Sequence, residues 1–519
     1  MLYHLRLDVR KVQDYIFKVP KLKYMLGANS SIGELFNIDL LELVPKCESA
    51  FSGISLDIPD ETRALLQKNV LSSAGGHFEA LFNTKSELDE YVSQACTLIR
   101  DKTPDLEISM SYREFNLNDS WQQFFNERLP LPIDTQKACP TFIDSPFNQL
   151  CTYDGQSTAT SCIMDDEQNK PIGFATKMMF LQAEQKFYSL KAHDAISGFY
   201  KEMKVKPCDL ADNIQDLARS GHSPKRNMVA YVKADGNGTG ARFKDLRKTI
   251  DSKNVLDAFV AIELFWHKNR LKMKELLRKA LSPYMGEANK DSKLPFILLM
   301  LGGDDLFLIS TPEIALDIAT SLASADKEGI SVSVGVAFVK ESYPVAQAHE
   351  IAEMCLDSAK AAGYARKESS QIMPYIDWHV HFDSVYQDLK DIRRSSYILS
   401  YADNDKELNE ILSKRPYTAE DLQAMLSEIK STAKKLDEPD AKFANNKIKT
   451  YRSALKNGYR DVEFIRNILL KDDKELLGFL PYRKPQNGLR LDSSLDKIEI
   501  IDFYRDSSQK KEEAEHEQH

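Results

Sequence analysis

Two glycines and two carboxylates, Gly302-Gly303-Asp304-Asp305, interrupt an apolar stretch that runs from Phe296 to Leu301 and resumes from Leu306 to Ile309. This pattern restricts the fold sharply. Each flank reads as a buried strand, and the short link forces the two strands into a hairpin. Such a hairpin holds two negative charges at one fixed point of a sheet. Gly and Asp are also ordinary turn residues, so the tetrapeptide alone fits a plain turn as well as a chemical site.

A second feature supplies what the turn lacks. Met228 to Ala234 forms a strongly apolar strand that ends in Asp235 and is followed by Gly236-Asn237-Gly238-Thr239-Gly240. If the two strands are neighbours in a sheet centre, Asp235 and Asp304 project toward one point with Asp305 beside them. Clustered carboxylates repel one another unless a cation neutralises them. Two divalent ions about 4 Å apart do so, and can activate a hydroxyl while clamping a transferring phosphoryl group. Magnesium is the expected ion because it prefers oxygen ligands and phosphates; Mn²⁺ is the alternative. Gly236, Gly238 and Gly240 would let backbone N–H groups face phosphate oxygens with no side chain between. Lys360 closes an expected helix over 344–360 and either reaches triphosphate oxygens as a point charge or simply complements the helix C-terminus.

Along the chain, residues 2–9 predict a strand. The segment around Gly75-Gly76 predicts a strand-turn-strand, followed by a helix over 86–100 and a further strand at Leu106 to Tyr112. Residues 130–170 read as an irregular insert, and helical character spans 174–203. From Met228 the order is strand, helices over 253–282, the Gly302 hairpin, a helix over 312–324, a strand over 330–339 and a helix over 344–360. This order predicts an antiparallel-containing α+β sheet with helices on one side. The first segment repeats it more weakly, with His77 and Phe78 where the carboxylates would stand, so an internal duplication is expected in which only the second copy holds metal. Beyond Phe382 helices are expected over 403–413, 418–436 and 455–470, and the charged end of the chain has no apolar face.

Length and composition bound the rest. At 519 residues the chain suggests three or four domains. The net charge of -9 argues against a wholly basic nucleic-acid coat. No stretch approaches the ~20 apolar residues of a membrane helix, and the start lacks the apolar core of a signal peptide. Seven scattered cysteines fit a reducing interior. A cytoplasmic setting without membrane contact is expected.

On these residues the chain resembles the large polymerase-like subunit of type III CRISPR effector complexes and, more distantly, diguanylate cyclases. The resemblance is carried by Asp235 to Gly240, Gly302 to Asp305, Gly335-Val336-Ala337 with Tyr343-Pro344, and Ala359-Lys360. It extends to Val12 to Phe17 and Gly27 to Ser30, which look like the opening of the family's first palm, and to Arg415 to Thr418 before its helical domain. It implies two ferredoxin-like palms, the first degenerate over 1–130 and the second catalytic over 226–385. An irregular insert with a helical segment over 131–225, a helical domain over 386–505 and a disordered tail over 506–519 complete the expected organisation.

The function implied is condensation of ATP into cyclic 3'-5' oligoadenylates, antiviral second messengers. Asp235, Asp304 and Asp305 would hold two Mg²⁺, with Gly236, Asn237, Gly238, Gly240, Gly302, Gly303 and Lys360 around the nucleotide. Implied partners are nucleoside triphosphates, other effector subunits and guide or target RNA; a homo-oligomer is left open. The alternatives are a cyclase of another nucleoside triphosphate, or a catalytically quiet scaffold that binds RNA, with Lys447, Lys449, Arg452, Lys456 and Arg460 as its basic residues.

Two departures from the family stand out. Its N-terminal nuclease domain carries a His-Asp pair, whereas this sequence opens directly on the first palm; His193-Asp194 is read as a chance pair in a helical stretch. The family's four-cysteine zinc element is reduced to Cys139, Cys151 and Cys162, with Asp154 where a Cys-x-x-Cys would place its second thiol. A degenerate, metal-free loop is the preferred reading over a three-cysteine site with Asp154 as fourth ligand.

Overall fold

The computed structural model describes residues 1–519 apart from 47–48, 52–57, 134–148, 166–167, 222–226, 252, 286–292, 325–329, 367–371, 382–387, 404–405, 438–441, 469–470, 472–473, 481–488 and 506–519. Cys139 and the expected C-terminal tail therefore lie outside the described residues. The chain forms two compact units. One comprises Met1–Asn213, Gly238–Arg278 and Leu298–Leu306, the other Ile214–Asn237, Lys279–Ile297 and Phe307–His519.

In the first unit, β1 (Leu2–Val9), β2 (Val70–Ala74), β3 (His77–Phe82), β4 (Ile108–Phe115) and β5 (Leu131–Ile133) form a sheet in the order β2-β3-β1-β4-β5. β1 is central and antiparallel to both neighbours, with Leu5 opposite Ala80 on one side and Tyr112 on the other. Positive φ at Gly75 (62°) and Gly76 (86°) closes the β2–β3 turn, a conformation that costs glycine little and other residues more. One core cluster joins Leu2, Leu71, Leu81 and Phe115 to Trp121 and Phe124, and to Ile250, Val255 and Phe259 from the helices Thr239–Ile250 and Val255–Leu281. The insert folds into the short hairpin β6 (Ser161–Asp165) and β7 (Gln168–Ile172) and the helix Phe174–Gln182.

The second sheet runs β12-β11-β8-β10-β9, built from β8 (Met228–Gly236), β9 (Phe296–Gly302), β10 (Asp305–Ser310), β11 (Val332–Lys340) and β12 (Ile376–Val380). Strand for strand this is the order of the first sheet, as a duplication predicts. The match ends at the edge, where β12 runs parallel to β11 while β5 runs antiparallel to β4. Met228 to Ala234 are all buried, the continuous apolar run expected of a strand covered on both faces. The helix Val345–Ala365 lies on β11 at Gly335, where a Cβ would stand only 2.1 Å from the Ala352 carbonyl oxygen.

The α+β architecture agrees with expectation, but two local expectations fail. The described residues of 403–413 are not helical: β13 (Ile398–Asp403) and β14 (Lys406–Ile411) pair antiparallel, and β14 also pairs in parallel with β15 (Leu489–Leu491). The third strand comes from the far end of the chain, a contact that local periodicity does not encode. The helix expected over 455–470 is divided at Gly458 (φ 106°) into Lys442–Asn457 and Tyr459–Ile468. The helix Ala419–Leu436 follows expectation, its first turn capped by the Thr418 hydroxyl.

A buried cation organises the end of the chain. Arg415 is 1% exposed, lies 2.9 Å from Asp496 and 3.1 Å from Glu499, and faces the rings of Trp378 and Tyr397. Among the described residues no helix is long and apolar enough to cross a membrane.

Candidate active site

The Gly302 hairpin forms as the flanking apolar runs require. β9 ends on Gly302, Gly303 turns with φ 43°, and Asp305 opens β10. Asp304 and Asp305 are half-buried, whereas Leu306 to Ser310 are fully buried, so the carboxylates sit at the emerging end of a rigid strand. In the sheet order β10 is the neighbour of β8, whose penultimate residue is Asp235.

Both Asp235 oxygens are engaged. Oδ1 accepts from the Gly236 amide at 2.8 Å, and Oδ2 accepts from the Lys360 ammonium on the helix Val345–Ala365. The helix runs on to Ala365, so Lys360 does not close it as expected but meets the strand-end carboxylate from within the helix. Asn237 is tied into the fold: its amide donates to the Ser331 carbonyl at 2.7 Å and its Nδ2 to the Ser331 hydroxyl at 3.0 Å. Gly238 adopts a left-handed φ of 65° and begins the helix Thr239–Ile250 without a side-chain cap.

Within the first unit, a cavity of about 1060 Å³ is lined by Gly302 to Asp305, by first-sheet residues such as Arg6, His77 and Arg113, and by Phe243, Trp266 and Arg270 from the two helices. At its floor lies a chain of charges that the sequence reading missed. His77 Nδ1 is 2.7 Å from Asp8 Oδ1, its Nε2 is 3.2 Å from Glu79, and Arg6 Nε donates to the other Asp8 oxygen at 2.7 Å. Burial alone would lower the pKa of His77, but the hydrogen bonds its ring donates to both carboxylates outweigh it and raise it to about 9. Burial likewise works against ionised Asp8, yet His77 and Arg6 bring it down to about 2. Glu79 falls well below the usual carboxylate range because His4 and His77 overcome its burial.

A pH dependence follows. The pair's contribution through His77 is complete below the unfolded histidine value of about 6.5 and is lost as pH rises through about 9. Through Asp8 it is complete above the unfolded value and lost as pH falls through about 2. The stability difference between wild type and His77→Gln should therefore be largest between about pH 4 and 6.5, about 1–2 kcal/mol after solvent screening. It should shrink steadily from pH 7 to 10 in urea unfolding; a difference independent of pH over that range would refute the pairing.

Residues 228–369 match the family model described as Cas10/Cmr2, second palm domain. This segment is therefore similar to the second palm domain of Cas10/Cmr2. Among solved structures, the chain resembles the Csm1-Csm4 cassette in complex with cA3, at 14% identity and TM-score 0.52, covering 97% of this chain and 69% of that one. It also resembles the cassette in complex with cA4 (12%, TM-score 0.49, 97% and 69%) and the apo cassette (13%, TM-score 0.44, 97% and 70%). The likeness is one of fold. No curated protein matches the chain.

Within the matched segment, a second polar pairing lies two residues before Asp235 on β8. Lys233, 4% exposed, contacts Glu353 at 2.5 Å and His349 Nε2 at 3.1 Å. Burial and the Lys233 charge lower His349 to about 3, so the ring is neutral and accepts from the ammonium. A lysine inside the apolar run Met228 to Ala234 was the available signal. Such a residue cannot be buried without a partner.

The remaining candidates are ordinary structural groups. Asp194 caps the helix Ala195–Glu202 through the Ser197 amide (2.7 Å) instead of lying within a helix, and His193 is exposed. Asp154 accepts from the Ser157 and Gln156 amides within its own turn. Cys151 is buried against Thr176 and Cys162 is exposed. Among the described residues no group of three or more His, Cys, Asp or Glu side chains stands ready to hold a metal ion.

Proposed function

We propose that this chain is a divalent-metal-dependent nucleotidyltransferase that condenses ATP into cyclic 3'-5' oligoadenylates in antiviral defence. The observation carrying this reading is that a segment similar to the Cas10/Cmr2 second palm keeps a carboxylate at the end of β8 and two more at the turn into the neighbouring strand β10. Carboxylate oxygen without thiolate suits a hard cation, although Asp235, Asp304 and Asp305 do not already stand together as a metal-holding group. Lys360 supports the same view, since its ammonium stands at Asp235 where positive charge is needed. Asp235, Asp304 and Asp305 are the residues that would hold Mg²⁺, which when bound would neutralise phosphate charge and lower the pKa of the attacking hydroxyl.

The chain's own groups do the rest. The uncapped start of the helix Thr239–Ile250 offers backbone N–H groups to phosphate oxygens, helped by the helix dipole and by glycine at positions 238 and 240. In the first-unit cavity, Arg6, Arg113 and Arg270 provide positive charge and Phe243 and Trp266 provide faces on which a base can stack. The degenerate first palm thereby helps position the acceptor nucleotide. The cassette of TM-score 0.52 holds cA3, and that product class is carried over as part of the proposal, together with effector subunits and guide or target RNA as partners.

The test is a product profile. The full chain, with and without partner subunits and cognate RNA, is incubated with ATP or GTP and Mg²⁺ or Mn²⁺, and the products are separated. Cyclic adenylates formed from ATP are expected. Absence of pyrophosphate release under every condition would overturn the reading. RNA binding with a steep salt dependence in that case would favour the scaffold role instead.

A further inference from the structure

We propose that Glu263 and Trp121 read the base of a nucleotide bound in the first-unit cavity, and that the pair selects adenine over guanine. The inference rests on the reading of that cavity as a nucleotide site and adds the groups that set its base preference.

Two orphaned polar atoms carry it. Both residues line the cavity, and both are buried, Glu263 to 3% and Trp121 to 5% exposure. Among the described residues neither Glu263 Oε2 nor Trp121 Nε1 has a hydrogen-bond partner. Buried polar groups are nearly always paired, so an acceptor and a donor left over in one cavity point to a ligand that supplies the complement. The rest of each side chain is held in place. Glu263 Oε1 accepts from the Arg270 guanidinium, and Ser72 also acts on the carboxyl. Burial nevertheless raises the carboxyl pKa, and a further N–H donor would favour its ionised form. The Trp121 ring meets Phe259 edge to face at 5.4 Å, and Phe259 stands one helical turn before Glu263 on Val255–Leu281. The two orphans therefore belong to one patch of the wall.

Adenine presents an amino donor beside a ring-nitrogen acceptor, whereas guanine presents the acceptor O6 where adenine has its amino group. Oε2 accepts from the adenine amino group, and the indole N–H donates to the ring nitrogen. Guanine in the same pose would turn O6 toward a carboxylate oxygen. In another pose guanine offers a carboxylate two parallel donors, but a grip on both needs both oxygens, and Arg270 already holds one. A single open oxygen suits a single amino donor. Phe243 and Trp266 line the same cavity and supply stacking faces, which every base accepts. Stacking thus gives affinity and the polar pair gives choice. No bond is made or broken.

Calorimetric titration of the full chain with triphosphates that differ at the purine amino position tests this. Wild type should bind ATP at least about tenfold more tightly than purine riboside triphosphate, which lacks the amino group, as expected for a hydrogen bond to a charged acceptor. ITP, which carries O6 there, should bind no better than the purine riboside form. Glu263→Gln keeps the side-chain shape but can turn an amide N–H toward O6, so its preference for ATP over ITP should fall by at least about tenfold. Trp121→Phe should weaken ATP and purine riboside triphosphate alike, by roughly fivefold. Because the nucleotide varies and the protein does not, the wild-type series decides even where a variant fails to fold. Equal wild-type affinities for the three triphosphates, or an ATP preference that Glu263→Gln leaves intact, would overturn the inference alone. If none of the three binds, the nucleotide reading of the cavity falls and the inference with it.

Discussion

Replacing Asp304 and Asp305 together by alanine should reduce nucleotide turnover by at least about 10³-fold, equivalent to ~4 kcal/mol of lost transition-state stabilisation. Both residues lie at the hairpin turn rather than in the core, and neither supplies apolar packing. Removing them also removes a repulsion between adjacent carboxylates. Both carboxylates also make contacts within the fold, which offsets this, so the folded state should change little, within about 1 kcal/mol. Pyrophosphate release and product separation measure the first effect, and urea unfolding measures the second. Turnover within tenfold of wild type would show that the chemistry lies elsewhere. A large loss of stability would mean that the turn is structural, and the activity loss would then say nothing about metal.

The second large effect belongs to a residue with no chemistry. Gly335→Val should destabilise the second palm by about 3 kcal/mol or more. A Cβ at this position would meet the Ala352 carbonyl oxygen at 2.1 Å and the Leu356 amide nitrogen at 2.3 Å. These are backbone atoms of a helix hydrogen-bonded along its length, so they cannot swing aside as a side-chain end can. The helix must lift from the sheet, and it carries Lys360, Glu353 and His349 with it. Unfolding midpoints should fall markedly for Gly335→Ala and further for valine. A valine variant as stable as wild type would contradict the close helix–strand packing.

The parts of this molecule that could be read from the sequence are those with a local signature. Both hairpins were legible because apolar runs flank glycines that can take positive φ. The order of strands and helices within the second palm followed from the same runs. The pairing of Lys360 with Asp235 was not legible, since 125 residues separate them and only folding brings the helix to the strand end. His77 was misjudged for a different reason. It was read as the loss of a carboxylate, whereas its partner Asp8 sits 69 residues earlier and the two together form a charged pair. The segment 403–413 failed because its charged residues suit a solvated helix as readily as an edge strand, and the choice rests on pairing with Leu489–Leu491.

The His77 contact also bears on what mutation can undo. Losing His77 leaves Asp8 and Glu79 facing each other with less compensation, so drift away from the present state is opposed by stability. Any single substitution among Asp8, His77 and Glu79 leaves a charge behind without its partner, so this part of the first sheet changes most readily by paired substitutions.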